Sequence, residues 1–315
     1  MVSAIRRHIF KVLYGFLLTA FTIYVLLDAF VIPRAYLPAE NGEHNTASDM
    51  EDPLSGCSSV DPVSDTDFLS YPAVTENSYM DENIHIVLSA YRQYNTDIYV
   101  ADIRLSGSEY LKTALAQSTY GRNIKAKTSQ IAADCDAILA INGDFYGSQT
   151  KGYVLRNGVL YRETAAGTDQ EDLVIWADGS FEIITEGTVS AADLAAEGAQ
   201  QILSFGPALV KDGIVAVSSG EEVDKAMASN PRTAIALLDS LHYLMVVADG
   251  RTSQSQGLSL YQLALFLQEM GVKTAYNLDG GGSSTMVFNG EVINHPTTNG
   301  AIKERSVSDI VYIGI

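Results

Sequence analysis

The C-terminal third carries the pattern that most constrains the fold. Residues 233–238 and 242–247 are apolar runs joined by a short polar turn, which predicts an antiparallel hairpin. Residues 259–270 place leucines at helical spacing and are followed by the helix-ending Gly271. Residues 274–278 form another short apolar run. A strand–helix–strand order gives parallel strands with a right-handed crossover, so we predict a mixed β-sheet with hairpins and at least one βαβ unit.

From residue 83 onward, apolar segments alternate with turn signals, which is typical of a sheet-rich domain of the α+β or α/β class. Hairpins are predicted at Asn157-Gly158, Asp178-Gly179 and Asp212-Gly213. The other predicted elements are strands at 84–88, 97–105, 137–141 and 308–313, a short helix at 129–134 and an Ala-rich helix over 190–201.

The N-terminus reads as a membrane anchor. Arg6, Arg7 and Lys11 lie at the start of an apolar segment that extends from residue 10 to residue 32. This segment exceeds the roughly 20 residues that a transmembrane helix needs. The basic flank predicts a cytoplasmic N-terminus, which places the rest of the chain outside the cytoplasm. No small-residue cleavage site follows, so an uncleaved signal-anchor over residues 1–34 is favoured over a cleaved signal peptide.

Residues 35–82 have the composition of a disordered spacer. They contain eleven acidic residues and no Lys or Arg, and they show no apolar periodicity. The formal net charge of -18 argues against a nucleic-acid partner. Residues 83–315 are left as the folded catalytic domain. Cys57 and Cys135 belong to no CxxC motif, and whether they pair in a disulfide stays open.

Polar residues follow the predicted strands where these strands end. Asp249 and Asp279 follow the two strands that flank the helix, so we expect both at one edge of the sheet, where ligands bind in open α/β sheets. Counting back from the hairpin turn places Arg232 opposite Val247 or Ala248, beside Asp249. Asn142 and Asp144 follow another buried strand and join the cluster if that strand runs in the same direction.

The glycine-rich loop after Asn277 is the strongest candidate for chemistry. Three consecutive glycines, Gly280, Gly281 and Gly282, are costly in a loop that only has to turn. They allow the backbone to approach a ligand closely and leave N–H groups free to bind an anion. The plain alternative is a flexible hairpin loop. No Gly-Lys-Ser/Thr follows, so the loop is not a Walker motif.

Several further residues are weaker candidates. Arg232 suits phosphate or carboxylate, although a surface salt bridge explains it equally well. His242 and His295 have no partner that the sequence identifies. Asp144, Asp249 and Asp279 are oxygen ligands of the kind that hold Ca²⁺ or Mg²⁺, so a bound metal stays an alternative to a site without a cofactor. There is no HExxH, GxSxG or metal-spaced His/Cys cluster.

The order of these motifs resembles the phosphodiester glycosidase family. The resemblance covers about residues 83–315, and its most specific block is the glycine-rich loop. Asp144 departs from the pattern, because the family more often has glycine there. The motifs are Asn142-Gly-Asp-Phe-Tyr146, Phe205-Gly-Pro207, Asn230-Pro-Arg-Thr233, Ala248-Asp-Gly-Arg251, Asn277-Leu-Asp-Gly-Gly-Gly-Ser-Ser284 and Glu304-Arg305.

The resemblance implies hydrolysis of a glycosyl phosphodiester at the anomeric carbon, with an N-acetylglucosamine-like sugar and a cell-surface polysaccharide, exopolysaccharide or wall polymer as substrate. Arg232 and the amides of the three glycines would bind the phosphate, and Asp249 and Asp279 would form the carboxylate pair. The alternatives are a metal-dependent phosphodiesterase that breaks the P–O bond and a non-catalytic glycan-binding domain. The remaining residues expected to bind substrate are Asn142, Asp144, Phe145, Arg251, Asn277, Ser283 and Arg305.

Overall fold

The computed structural model describes residues 2–38, 72–222 and 229–315. Most of the predicted spacer, including Cys57, lies outside these residues, so its predicted disorder and the pairing of Cys57 with Cys135 stay predictions. The described part is dominated by strands that form three larger sheets, and each sheet contributes a face to a common apolar core.

The N-terminal helix extends over Val2–Phe30. Its segment Leu13–Phe30 is long and apolar enough to cross a membrane by length and composition, and none of that segment is buried inside the protein. The chain then joins the folded part. Arg34–Ala35 pairs with the strand Gly121–Arg122, and the Asn123 side chain donates hydrogen bonds to backbone carbonyls at the end of the helix.

The folded part begins before residue 83, where sequence analysis ended the spacer. Ala73–Val74 and Ser78–Met80 pair with one another, and the second of them pairs with Ile84–Gln93 at the edge of the largest sheet. The buried ring of Tyr79 explains this extension, because it packs into the main core from one of these edge strands. The acidic composition of the segment conceals this short amphipathic stretch.

The largest sheet has nine strands, and its neighbouring strands are all antiparallel. The predicted hairpins at residues 212–213 and 239–240 are both found in it. In spatial order the strands are Ile214–Val215, Ala208–Lys211, Thr274–Leu278, Arg232–Asp239, His242–Ala248, Thr96–Leu105, Ile84–Gln93, Ser78–Met80 and Ala73–Val74.

The predicted βαβ unit is not confirmed as a pair of adjacent parallel strands. His242–Ala248 and Thr274–Leu278 run in the same direction, but Arg232–Asp239 lies between them and pairs antiparallel with both. The first strand of the hairpin therefore takes the place that a parallel neighbour would have. The intervening helix, Leu260–Glu269, begins at a Ser259 capping box and packs its apolar side against the same sheet.

The Ala-rich segment that was predicted as one helix is helical only over Ala191–Ala196. It then becomes a strand, because Gly198 turns the chain with a φ of 106°.

Two five-stranded sheets complete the core. One sheet has the order Glu291–Val292, Met286–Phe288, Leu139–Asn142, Asp309–Ile313 and Leu111–Leu115; the other has Val159–Arg162, Val154–Arg156, Ala199–Leu203, Glu171–Trp176 and Phe181–Thr185. Shorter elements are the helix Thr128–Asp134, the strand pairs Thr297–Thr298 with Ala301–Ile302 and Ser306–Val307 with Ala126–Lys127, and the 3-10 turns Ser108–Tyr110, Ala116–Ser118, Tyr146–Ser148 and Gly281–Ser283.

Candidate active site

The predicted residues meet at one edge of the nine-stranded sheet. Arg232 lies opposite Ala248, and Thr233 lies opposite Leu278, so Asp249 and Asp279 follow strands on either side of the same central strand. Two strand spacings separate them, which is roughly 10 Å between their backbones. The antiparallel arrangement therefore brings Asp249 and Asp279 to one edge of the sheet, as expected for the predicted parallel strands.

Asn142 ties the sheets together at this edge. Its side-chain amide donates to the Asp279 carbonyl at 2.7 Å. Its Oδ1 accepts from the Thr233 hydroxyl at 2.8 Å and from the Thr285 N–H at 3.2 Å. The residue is fully buried. Asn142, predicted to bind substrate, is therefore placed to hold the loop that carries Asp279.

Asn277 has a comparable position. It is buried, and its amide donates to the Gly206 carbonyl at 2.8 Å. Ser283 is buried close to Asp279, whose carboxylate its hydroxyl stabilises. Phe145 differs from both, because 37% of its surface is exposed beside the loop after Asn142. Of these predicted substrate-binding residues, only Phe145 presents a solvent-facing surface.

The glycines of the loop allow two arginines to approach the backbone. A Cβ on Gly281 would lie 2.8 Å from Arg251 Nη2, and a Cβ on Gly282 would lie 2.8 Å from Arg305 Nη2. Gly281 also has a φ of 63°, which side-chain-bearing residues rarely adopt. Its N–H donates to the Pro231 carbonyl at 2.8 Å, so this amide is already occupied. The close approach of the guanidinium groups is thus the clearest reason for glycine here.

Arg251, Arg305 and Lys125 form a group of cations beside this loop. None of the three has a carboxylate within 4 Å among the described residues, although Asp279 lies within electrostatic range of Lys125 and Arg305. Burial and the neighbouring Arg305 charge lower the pKa of Arg251. Burial also lowers the pKa of Lys125. The group is arranged to receive an anion.

Arg232 is already paired. Its guanidinium forms a buried ion pair with Glu222 and donates from Nε to the Leu258 carbonyl at 2.8 Å. Burial lowers the pKa of Arg232, and Glu222 opposes that effect. The contacts of Arg232 are therefore those of a salt-bridge residue, which was the alternative to phosphate binding. The alternative predicted a surface salt bridge, whereas this one is buried.

Asp279 has the environment of a proton-transfer group. Burial raises the pKa of its carboxyl to about 6. The Ser283 hydroxyl and the Arg305 charge oppose this shift, whereas Asp144 adds to it. A carboxyl that titrates near neutral pH can exchange a proton under ordinary conditions.

Asp249 is held by a partner that the sequence did not reveal. Its Oδ1 accepts from the Asn294 amide at 3.0 Å and from the His295 N–H at 2.9 Å, and its Oδ2 lies 3.1 Å from His295 Nδ1. The Tyr99 hydroxyl lies 3.1 Å from the same imidazole nitrogen. Burial, and then the Asp249 charge, raise the pKa of Tyr99 to about 12. This assembly borders a cavity of about 390 Å³.

Asp144 belongs to a buried ion cluster. Its Oδ2 lies 2.7 Å from Arg156 Nη2, which is also 2.8 Å from Asp309 Oδ2. Burial and the nearby Asp144 charge raise the pKa of Asp309, and Arg156 opposes them. The Asp144 carboxylate is thus paired with Arg156, and its predicted roles in substrate or metal binding stay predictions. Over the described ranges, no group of three or more His, Cys, Asp or Glu side chains could hold a metal.

Comparison with solved structures shows which fold this is. The catalytic domain of zebrafish N-acetylglucosamine-1-phosphodiester alpha-N-acetylglucosaminidase, auto-inhibited by its pro-peptide, matches with a TM-score of 0.57 and 20% identity, over 73% of this chain and 82% of that one. A hypothetical protein from Synechocystis matches with a TM-score of 0.53 and 16% identity, over 74% and 62% of the two chains. The protein thus has the fold of that catalytic domain.

Residues 136–314 match the family model of phosphodiester glycosidase. The chain belongs to the phosphodiester glycosidase family, a family of hydrolases. It is 31% identical over 201 residues to the SPbeta prophage-derived uncharacterized protein YomE of Bacillus subtilis (strain 168), covering 62% of this chain and 31% of that protein. It is 28% identical over 190 residues to mouse N-acetylglucosamine-1-phosphodiester alpha-N-acetylglucosaminidase, covering 55% and 36%. The chain spans about a third of the length of these relatives.

Proposed function

We propose that this protein hydrolyses a glycosyl phosphodiester at the anomeric carbon of an N-acetylglucosamine-like sugar. One observation carries the proposal: the cations Arg251, Arg305 and Lys125 lack carboxylate partners among the described residues and surround a glycine-rich loop that also presents Asp279. An anionic group and an adjacent proton acceptor are what such a reaction requires. The activity named for the mouse relative supports the choice of sugar.

The substrate phosphate binds between Arg251 and Arg305, with Lys125 as a third positive charge. Arg251 is oriented by Asn230, whose Oδ1 accepts from its Nη2 at 2.9 Å. The Gly282 N–H provides a further donor, while the Gly280 N–H stabilises the Asp279 carboxylate. These contacts stabilise the charge that develops on the departing phosphate, which leaves more readily than an alkoxide. Arg232 stays paired with Glu222, and the neighbouring Pro231 carbonyl accepts from the Gly281 N–H of the loop.

The carboxylates act at the sugar carbon. Water attacks the anomeric carbon, the bond from this carbon to the phosphate oxygen breaks, and the phosphate leaves with the electron pair. Asp279 takes the proton from the attacking water, which suits a group whose pKa is about 6. Asp249, fixed by Asn294 and His295, stabilises the positive charge that develops on the sugar.

The protein acts outside the cytoplasm, on cell-surface polysaccharide or wall polymer. The N-terminal helix, whose Leu13–Phe30 segment is long and apolar enough to cross a membrane, supports this location. In this arrangement residues 1–34 anchor the chain, the acidic spacer follows, and the catalytic domain begins with the edge strand Ala73–Val74.

Hydrolysis in ¹⁸O-water by the full chain in detergent tests the reaction. Synthetic α- and β-linked N-acetylglucosamine phosphodiesters are the substrates. We expect the label in the released sugar, because the C–O bond breaks. Label in the phosphate product would identify a phosphodiesterase and overturn the proposal. Binding of these compounds without any release of sugar would identify a non-catalytic binding domain.

Matched variants locate the site. Arg305→Gln and Asp279→Asn should each lower kcat/KM by at least about 100-fold, the size of effect seen when one transition-state donor is removed. Arg104→Gln is the control, since Arg104 is an exposed arginine on the strand Thr96–Leu105 of the same sheet. Activity near that of the control in both variants would show that the site lies elsewhere.

A further inference from the structure

A second cavity lies where the segment after the N-terminal helix meets the folded domain. Its volume is about 230 Å³, enough for one sugar ring. The lining combines aromatic rings with two guanidinium groups, and its principal residues are Tyr36, Tyr120, Arg122, Gln149, Tyr161 and Arg162. A concave, mostly aromatic pocket with a few polar groups is the usual form of a small-ligand site.

The aromatic wall is rigid. The ring of Tyr120 stacks between those of Tyr146 and Tyr161, with centroids 5.2 and 4.7 Å away. Tyr36 contributes a tilted ring 6.0 Å from Tyr120 and is itself 48% exposed. The Tyr36 N–H donates to the Tyr120 carbonyl at 2.8 Å, which fixes the backbone beside the pocket. An exposed ring on a fixed backbone can receive the apolar face of a sugar at low entropic cost.

The guanidinium groups add charge to the pocket. Arg122 and Arg162 both line the cavity, and neither forms a salt bridge with a carboxylate of the described residues. Arg162 is held by the carbonyls of Tyr146 and Gln149, at 3.1 and 2.9 Å. A ligand that brings an anionic oxygen into the cavity would meet both positive charges.

The cavity adjoins the candidate active site. Lys125 Nζ donates to Ser148 Oγ at 3.0 Å, next to Gln149 on the cavity wall. The same Lys125 lies within electrostatic range of Asp279 and Arg305. One cation therefore stands between the aromatic pocket and the proposed phosphate site, which is the arrangement expected for two neighbouring units of a sugar–phosphate chain.

We infer that this cavity is a second saccharide subsite, which stacks a sugar ring on Tyr36 and places an anionic group at Arg122. The inference rests on the proposed function, because it identifies the substrate as an oligomer or polymer with repeating sugar and phosphate units. The enzyme therefore prefers a chain of such units to a single phosphodiester.

Two substrates test the subsite with the full chain in detergent: the methyl phosphodiester of N-acetylglucosamine, and a trimer of N-acetylglucosamine 1-phosphate units. Tyr36→Ala and Arg122→Gln should each raise KM for the trimer about tenfold, whereas kcat/KM for the methyl diester stays within about twofold of wild type. Tyr36→Phe keeps the ring and should behave as wild type. Arg104→Gln is the matched charge control.

Equal loss on both substrates, or no change on either, would overturn the subsite. Calorimetric binding of the trimer to the Asp279→Asn protein, with and without Tyr36→Ala, separates the two proposals. If wild type hydrolyses neither substrate but Tyr36→Ala still weakens trimer binding about tenfold, the catalytic proposal fails and the subsite stands. If hydrolysis occurs and trimer binding is unchanged by Tyr36→Ala, the subsite fails alone.

Discussion

Replacing Gly282 with alanine tests whether the glycine loop exists to let Arg305 approach it. The added Cβ would lie 2.8 Å from Arg305 Nη2, 2.9 Å from its Nε and 2.5 Å from Thr298 Oγ1. Gly282 does not have a left-handed φ, so alanine adds no backbone strain there. The effect of the substitution must pass through these contacts.

The geometry sets the expected size of this effect. Van der Waals contact requires about 3.4 Å or more, so the Arg305 guanidinium has to retreat by roughly 0.6 Å and the Thr298 hydroxyl by more. A misplacement of about 1 Å can cost about 100-fold in rate. We therefore expect kcat/KM to fall roughly 30- to 100-fold. Loss of the hydrogen bond from Thr298 to the Gly282 carbonyl should cost about 1 kcal/mol in the free energy of unfolding.

Initial rates and urea unfolding of the same protein preparations provide the measurement. Gly167→Ala is the control, because its Cβ would meet no heavy atom within 4 Å and its φ is not left-handed. In a double-mutant cycle, Gly282→Ala should add little to Arg305→Gln, since both remove the same contact. A folded Gly282→Ala protein with kcat/KM within about twofold of wild type would refute the reasoning, and so would full additivity with Arg305→Gln.

Further predictions concern three residues around the site, Asp279, Arg156 and Asn142. Since burial raises the pKa of Asp279 to about 6 and its carboxylate is the proposed base, initial rates should show kcat/KM rising as pH increases through about 6. The raised pKa also means that folded protein keeps the Asp279 proton to higher pH than unfolded protein does. The free energy of unfolding of wild type should therefore fall as pH rises from about 4 to about 6. Urea titration should show a weaker pH dependence for Asp279→Asn. Arg156→Met leaves two buried carboxylates without their cation and should destabilise the fold by about 3–5 kcal/mol at pH 7, against at most about 1 kcal/mol for the exposed Arg92→Met; equal losses would contradict this. Asn142→Ala should cost at least about 2 kcal/mol of stability by urea unfolding and lower kcat rather than raise KM, because it frees the Asp279 loop without touching substrate; an effect confined to KM would place Asn142 in contact with substrate.

Local pattern predicts many of the elements of the C-terminal part and part of their register. The turn of the hairpin fixes the pairing of Arg232 with Ala248, and the helix that starts at Ser259 was placed from its cap and its leucine spacing. Both signals lie within a few residues of the structure they determine. They were therefore enough to bring Asp249 and Asp279 to one edge, even though the strand pairing differs from the predicted one.

The partners of the charged residues could not be predicted in this way. His295 contacts Asp249 from 46 residues away, and Arg156 contacts Asp309 from 153 residues away. Apolar periodicity shows which face of a strand is buried, but it does not show which charge another sheet will bring to that face. In the sequence, the one signal of this ion cluster is the carboxylate of Asp144, at a position where the family more often has glycine. The sequence does not show that Arg156 lies beside it, so this carboxylate suggests a substrate or metal ligand.

Burial separates the arginines that are paired inside the protein from those that we propose bind substrate. Arg156 and Arg232 are almost fully enclosed, and each is paired with carboxylates, because a buried guanidinium without a counter-charge would cost several kcal/mol. Arg251 and Arg305 are exposed to solvent, which stabilises their charges until an anion arrives. Because Arg232 is already paired with Glu222, we propose that phosphate binding belongs to Arg251 and Arg305, which pack against Gly281 and Gly282.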